Sequence, residues 1–330
     1  MTGGDALGAE IIFGLNDANP EIFSVRAYRF DNLNKGLSDL RDRRVLAFAE
    51  SDVKELRLER GDERIILTRQ EGDAWQLQAD VAVSADKDAV DGLVRAVQTG
   101  KLKEFTDEAP DSTILSQRSL APTPLVDLAL VVGSDRAEKR LQVGHLSRDG
   151  HYARDLSRNV VFTIDTTLVA KLYQSVHDLR DKEPVQFDQE SITQIELHRA
   201  AETVVAQKDT AGQWIFVQPA QRQARSWKLS GLLGDLNGVE VEGFIDDQAE
   251  DLAPYRLDPA LVTVRLLAGG EEAVEVRLAE ADGDQTFLYV GGIPSVYLVS
   301  GEVLQNVNLS LEDLAQPLPA ADEGAGADGE

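Results

Sequence analysis

Few residues in this chain have the types and spacing that chemistry requires. His145, Asp149 and His151 follow a His-x3-Asp-x-His pattern that could set two imidazoles and a carboxylate around a metal ion. They stand in a Ser-Arg-Asp-Gly turn, however, and the matching positions of an internal repeat hold Glu280 and Thr286, so no ligand set recurs. His177 and His198, the other two histidines, add no further ligand spacing. Asp246-Asp247 and Asp282-Gly283-Asp284 offer the hard oxygens that calcium takes, without the EF-hand spacing; a loop and a β-turn account for them. Gly269-Gly270 and Gly291-Gly292 open no helix after a strand, so they form no nucleotide fingerprint. There is no Gly-x-Ser-x-Gly and no cysteine, which removes the nucleophile elbow, thiolate catalysis, a zinc ribbon and a disulfide framework. The expectation is no catalytic residue, no cofactor and no metal.

Trp75 and Trp214 are the other candidates, since large aromatics can line a sugar or peptide groove. They occupy matching positions in the repeat, which reads more simply as one core anchor per copy.

Lys and Arg total 33 against 58 Asp and Glu, a formal charge of −25 spread along the chain. Phosphate neutralisation needs a basic stripe, so nucleic acid is excluded as a partner, and anionic lipid is disfavoured by the same repulsion. The first ten residues lack a signal peptide's basic and apolar regions, and no run approaches the roughly 20 apolar residues of a membrane span. As given, the chain reads as soluble, with 330 residues and 42% hydrophobic content sufficient for more than one core.

The elements that would position any site come from self-similarity. Shifted by 139 residues, Leu40-Arg41-Asp42 falls on Leu179-Arg180-Asp181, Phe48 on Phe187, Leu58 on Leu197, Trp75 on Trp214, Leu93 on Leu232 and Phe105 on Phe244. A shift of 135 carries the match on: Leu141 to Val276, Tyr152 to Phe287, Phe162 to Tyr297 and Leu179 to Leu314. At the start, Phe13-Gly14 reads as Val143-Gly144, Tyr28-Arg29-Phe30 as Val161-Phe162-Thr163, and Leu37 to Asp42 as Val176 to Asp181. The chain therefore begins partway through a unit. The expected division is a partial unit over 1–46, full units over 47–185 and 186–317, and a disordered acidic tail over 318–330.

Within the first full unit, alternation over 53–60, an apolar run over 64–69 and a segment at 74–78 predict a three-strand meander. Val90, Leu93, Val94 and Val97 recur at i, i+3, i+4 and i+7, as do Leu229, Leu232, Leu233 and Leu236, so each unit has an amphipathic helix. After Phe105 a polar loop with Pro110 leads to a hairpin of 125–132 with 139–143 and another over 152–164. Asp165 then caps a second helix carrying Leu168, Leu172, Val176 and Leu179. The class is α+β, with tandem repeats of antiparallel meanders and hairpins and two amphipathic helices per unit on one sheet face.

This order of elements, with Leu120-Ala121-Pro122 and Leu257-Asp258-Pro259 before the hairpins and Val161-Phe162 and Val296-Tyr297 ending them, resembles the bacterial domain of unknown function numbered 4340. Tyr255-Arg256-Leu257-Asp258-Pro259 is similar to that family's Tyr-Gly-Leu-Asp-Pro stretch, with Arg256 in place of the glycine. The resemblance covers nearly all of the chain to residue 317. It implies proteins tethered to the inner membrane by an N-terminal helix, which this chain lacks, facing the periplasm, and encoded beside gliding-motility-type ABC transporter components. No catalytic residue comes with it.

The sharpest local signal is Leu40-Arg41-Asp42 with Leu179-Arg180-Asp181. A guanidinium fork there suits an acidic partner, but a cation at a helix end near each unit boundary also suits construction, and construction is the expectation. Leu40, Arg41, Asp42, Trp75, Phe105, Leu179, Arg180, Asp181, Trp214 and Phe244 are thus read as structural signatures of the repeat. The leading functional expectation is a non-enzymatic envelope scaffold or binding accessory with a protein partner, possible partners including ABC transporter subunits. A glycan hydrolase with paired carboxylates and a ligand-binding module delivering to a transporter stay open.

Overall fold

A computed structural model describes residues 11–16, 19–36, 40–78 and 81–317. The first ten residues, Leu37 and the acidic tail lie outside them.

The chain opens with β1 (Ile11–Asn16), β2 (Asn19–Arg26) and α1 (Ala27–Leu33). Then come β3 (Val53–Arg60), β4 (Glu63–Arg69), β5 (Trp75–Gln78), β6 (Ala82–Ala85), α2 (Lys87–Thr99), β7 (Phe105–Glu108) and α3 (Ser112–Gln117). The first full copy finishes with β8 (Val126–Val132), β9 (Ala137–Leu146), β10 (His151–Asp155), β11 (Val160–Ile164), α4 (Thr166–Lys171) and α5 (Val176–Leu179). The next copy runs through β12 (Ile192–His198), β13 (Thr203–Lys208), β14 (Trp214–Gln218), β15 (Arg222–Gln223), α6 (Ser226–Asn237) and β16 (Val241–Asp246). It closes with β17 (Val262–Ala268), β18 (Glu271–Glu280), β19 (Gln285–Val290), β20 (Val296–Ser300), α7 (Gly301–Val307) and α8 (Leu311–Leu314).

Two nine-stranded sheets result, ordered β6-β5-β4-β3-β8-β9-β10-β11-β7 and β15-β14-β13-β12-β17-β18-β19-β20-β16. The orders correspond strand for strand, so the repeat in sequence is a repeat in topology. Registers agree as well: Leu56 faces Leu67 as Ile195 faces Ala206, and Trp75 faces Arg69 as Trp214 faces Lys208. Both are antiparallel in their resolved pairings, and the class is α+β. Contacts among the described residues gather them into two compact units, those within 1–52 and 94–172 and those within 53–93 and 173–330, a division that passes through the first full copy.

Burial explains why these segments adopt these elements. In β12 and β17, Ile195 and Leu197 and then Val262, Val264 and Leu266 are buried by period-two alternation, while Ile192 is buried across a register shift three positions before Ile195. They share one cluster with Leu229, Leu232, Leu233 and Leu236 of α6, so the helix lays its apolar stripe on one sheet face. Leu257, Ala279 and Val296 form a separate small cluster. Val90, Leu93, Val94 and Val97 of α2 are all fully buried.

Several expectations are corrected. The meander has a fourth, short strand, β6 or β15. The polar loop after Phe105 begins as an edge strand, β7, and continues into α3, which Asp111 caps. The helix expected from Leu168 to Leu179 is two helices: Asp165 does cap the first, but Ser175 opens the second with its own capping box to Asp178. Ser310 and Asp313 repeat that box in α8.

The opening segment also aligns differently. Ile12 faces Val25 and Gly14 faces Phe23, as His151 faces Ile164 and Ala153 faces Phe162. Phe23 is therefore the counterpart of Phe162 at the same 139-residue offset, while Tyr28, Arg29 and Phe30 belong to helix α1. Likewise Phe13-Gly14 matches Tyr152-Ala153, not Val143-Gly144. Hairpin register and helix start set the correspondence, whereas matching aromatic types alone misplaced it.

Arg256 sits at φ 59°, and its counterpart Ser119 at φ 54°, each just before a buried leucine of the Leu-x-Pro segment. This left-handed region costs a non-glycine residue roughly 1–2 kcal/mol. Glycine also loses more chain entropy on folding, roughly 0.5–1 kcal/mol. Arg256→Gly should therefore raise stability by about 0.5 kcal/mol, and Arg256→Ala should not; urea unfolding monitored by tryptophan fluorescence checks both.

Candidate functional site

The Leu-Arg-Asp segments build the best-defined polar site. After α5 the chain turns extended and lies along β6: Asp86 N–H donates to the Leu179 carbonyl at 2.9 Å and Asp181 N–H to that of Ser84 at 3.1 Å. This buries Leu179 completely and sends the Arg180 side chain toward β16. Its guanidinium carbon lies 3.6 Å from the Phe244 ring centroid, and its two terminal nitrogens fork onto Asp247 at 2.5 and 3.0 Å. Phe244 is further boxed by the edges of His177 and Tyr297.

The same clasp stands one repeat earlier. Arg41 lies 3.7 Å from the Phe105 centroid and donates to Glu108 at 2.5 Å. In both copies the aromatic residue and the acid come from the edge strand of the following unit and its exit, three positions apart. The second clasp is the better buried: the Arg180 side chain is 8% exposed against 29% for Arg41. Leu40, unlike Leu179, is exposed.

The third signature residue diverges between copies. Asp42 accepts from the Arg44 backbone and, in a fork, from its guanidinium; these bonds hold its carboxyl down at about 2. At the matching place Glu183 replaces Arg44, and only its backbone N–H reaches Asp181. Burial, with the neighbouring charge of Asp86, pushes the Asp181 carboxyl up.

Trp75 and Trp214 are buried. Trp75 donates to Asp91 at 2.8 Å, with Arg69 over its ring; Lys208 stands over Trp214 at the matching position. Trp227 is exposed on α6. His145 packs on the edge of Tyr152, His151 Nδ1 lies 3.0 Å from the Gly144 carbonyl, and His198 pairs with Glu196. Among the described residues no three His, Cys, Asp or Glu side chains gather as a metal set. Asp246 accepts from Tyr255 OH and Asp247 is taken by Arg180. No described helix is long and apolar enough to cross a membrane.

Sequence reasoning found the arginines and aromatics but did not single out Glu108 and read Asp247 only as part of a loop, each acid being 67 residues from its arginine. It also missed Arg158. The three-residue spacing of Phe105 to Glu108 and Phe244 to Asp247 was the available signal.

Fold and clasp together define a tandem-repeat α+β protein whose successive copies are joined through a stacked, ion-paired arginine. The chain belongs to the family described as Domain of unknown function (DUF4340), whose model matches residues 75–260 and again 214–317. The two matches open at Trp75 and Trp214, equivalent places in the repeat. No curated protein and no solved structure matches the chain.

Removing one member of a buried pair leaves the other uncompensated, at a cost of roughly 3–5 kcal/mol, whereas exposed pairs contribute about 1 kcal/mol or less. Arg180→Ala should destabilise by about 2–3 kcal/mol and Arg41→Ala by about 1 kcal/mol, read from urea unfolding. Carboxyl-carbon NMR should show Asp42 and Asp181 titrating on opposite sides of the ordinary Asp value. Asp42 then contributes stability that is lost as pH falls through about 2, while Asp181 contributes most when protonated and disfavours folding as pH rises past the ordinary Asp range.

Proposed function

We propose that this protein is a non-enzymatic scaffold or binding accessory of the bacterial cell envelope, acting at the periplasmic face of the inner membrane beside an ABC-type transport complex. The observation that carries this reading is the repeated junction: two copies of one fold use an arginine, a phenylalanine and a carboxylate, glutamate in one and aspartate in the other, at equivalent positions to attach each copy to the chain before it. Such a design fixes spacing between modules, which is what a scaffold supplies. The strongly acidic composition keeps such a surface soluble and away from anionic lipid headgroups.

The test is crosslinking and co-purification of the native-length protein from its own membranes, read by mass spectrometry. Recovery of ABC transporter subunits is the expected outcome. Detection of those subunits in the membranes without any crosslink to this protein would overturn the association.

A further inference from the structure

The two junctions differ by one guanidinium. At the first, Arg158 reaches from the β10–β11 turn and donates to the carbonyls of Arg44 at 2.7 Å, Val45 at 3.0 Å and Asp42 at 3.3 Å. It is steadied by Asp155, whose side chain is 3% exposed, and its guanidinium carbon lies 5.3 Å from the Phe162 ring centroid. The registers of β10 with β11 and of β19 with β20 pair Ala153 with Phe162 and Leu288 with Tyr297, which makes Ile293 the counterpart of Arg158. The second junction therefore has no counterpart of the Arg158 guanidinium.

What remains there is a cavity of about 310 Å³ whose walls include Asp181, Glu183, Pro184, Ile293 and Tyr297, with the Arg180–Asp247 pair also on its lining. Asp181, Glu183 and Pro184 are the counterparts of Asp42, Arg44 and Val45, the three residues whose carbonyls Arg158 covers. Tyr297 supplies the ring where Phe162 stood. The Gln186 amide reaches the Glu183 carbonyl at 3.3 Å, so it takes over one of the three acceptors with a neutral donor. Charge changes in the same direction: with Arg44 replaced by Glu183 and Arg158 by Ile293, the second junction holds two fewer cations and one more carboxylate at these positions. Arg180 stands at the cavity wall with its guanidinium forked onto Asp247, as Arg41 is paired with Glu108 beside Arg158.

We propose that this cavity binds a guanidinium group supplied from outside the chain, an arginine side chain of a partner peptide, in the place that Arg158 fills in the sister repeat. Carbonyl acceptors, a half-buried carboxylate and an aromatic ring are the set that a guanidinium uses, and a planar fork satisfies several acceptors at once where an ammonium cannot. The binding does not depend on association with a transporter, and it is measured on the purified chain, so either reading can fail without the other.

The probe is arginine capped as its N-acetyl methylamide, titrated to about 10 mM into isotopically labelled protein to cover a Kd of about 1 mM. Saturable amide shifts at Asp181, Glu183, Gln186, Ser295 and Tyr297 are expected, with none from the equally capped, neutral citrulline. Free arginine, whose carboxylate meets the acidic rim, should bind more weakly than the capped form; equal binding would assign the site to free arginine in place of a peptide. Ile293→Arg should refill the place from within, abolishing the shifts and raising the melting temperature. Asp181→Asn leaves the cavity open and should weaken binding severalfold, which keeps the test decisive if the first variant folds poorly. No shifts at these residues, equal shifts from citrulline, or undiminished binding by a folded Ile293→Arg or Asp181→Asn protein would each overturn the proposal.

Discussion

Removing a guanidinium from water is costly unless its charge and donors are met, and Arg180 has its charge and both terminal nitrogens met close to a chain crossing, with its buried Nε left unpaired. Phe244 covers its face and Asp247 takes its edge. Neither partner would suffice: a ring offers no acceptor, and a lone carboxylate leaves the flat faces to solvent. The requirement then reaches outward. Arg180 can arrive only because the chain leaves α5 extended along β6, and Asp247 can wait for it only because β16 closes the far edge of the second sheet against β20. The position of the capping box at Ser175, the length of α5 and the edge strand are all tied to where one side chain must end.

That dependence explains which parts of the architecture could be read without coordinates. Strand β3 shows alternation, β4 a short apolar run, and α2 and α6 show i, i+3, i+4, i+7 leucines and valines, because each buries apolar side chains on one face. The anchors Trp75 and Trp214 are visible for the same reason. Short edge elements are not. Ala82–Ala85 and Arg222–Gln223 have too few residues for a period, and Phe105–Glu108 shows one aromatic followed by polar residues because half of an edge strand faces water. The break between α4 and α5 hides in Leu168, Leu172, Val176 and Leu179, whose spacing passes through the break without a change of phase. Ser175 and Asp178 mark it, a local signal that periodicity overrides.

The junction was half legible. Arg41 and Arg180 stand out because they recur with their neighbours, so repetition identifies them as structural signatures before any contact is known. Their acids and the Arg158 arm lie far off in sequence, and recurrence does not help with Arg158 because the second copy has Ile293. The informative position in a repeat protein is thus sometimes the one that fails to repeat. Asp42 and Asp181 illustrate it: the same residue type at the same place is held ionised by Arg44 in one copy and pushed toward neutrality by burial in the other.

The ties around α6 have a mechanical side. The incoming chain is hydrogen-bonded beyond the C-terminal end of that helix, where Val241 N–H meets the Lys182 carbonyl at 2.8 Å. The outgoing chain is held before its N-terminal end, where Arg225 N–H meets the Leu314 carbonyl and Gln316 N–H meets that of Gln223, both at 2.8 Å. Tension applied along the polypeptide on either side of this copy would therefore load a few backbone bonds at the two ends of one helix first. The nine-stranded sheet would be drawn on only after those bonds had yielded, so a pull along the chain would slacken the straps before it strained the core.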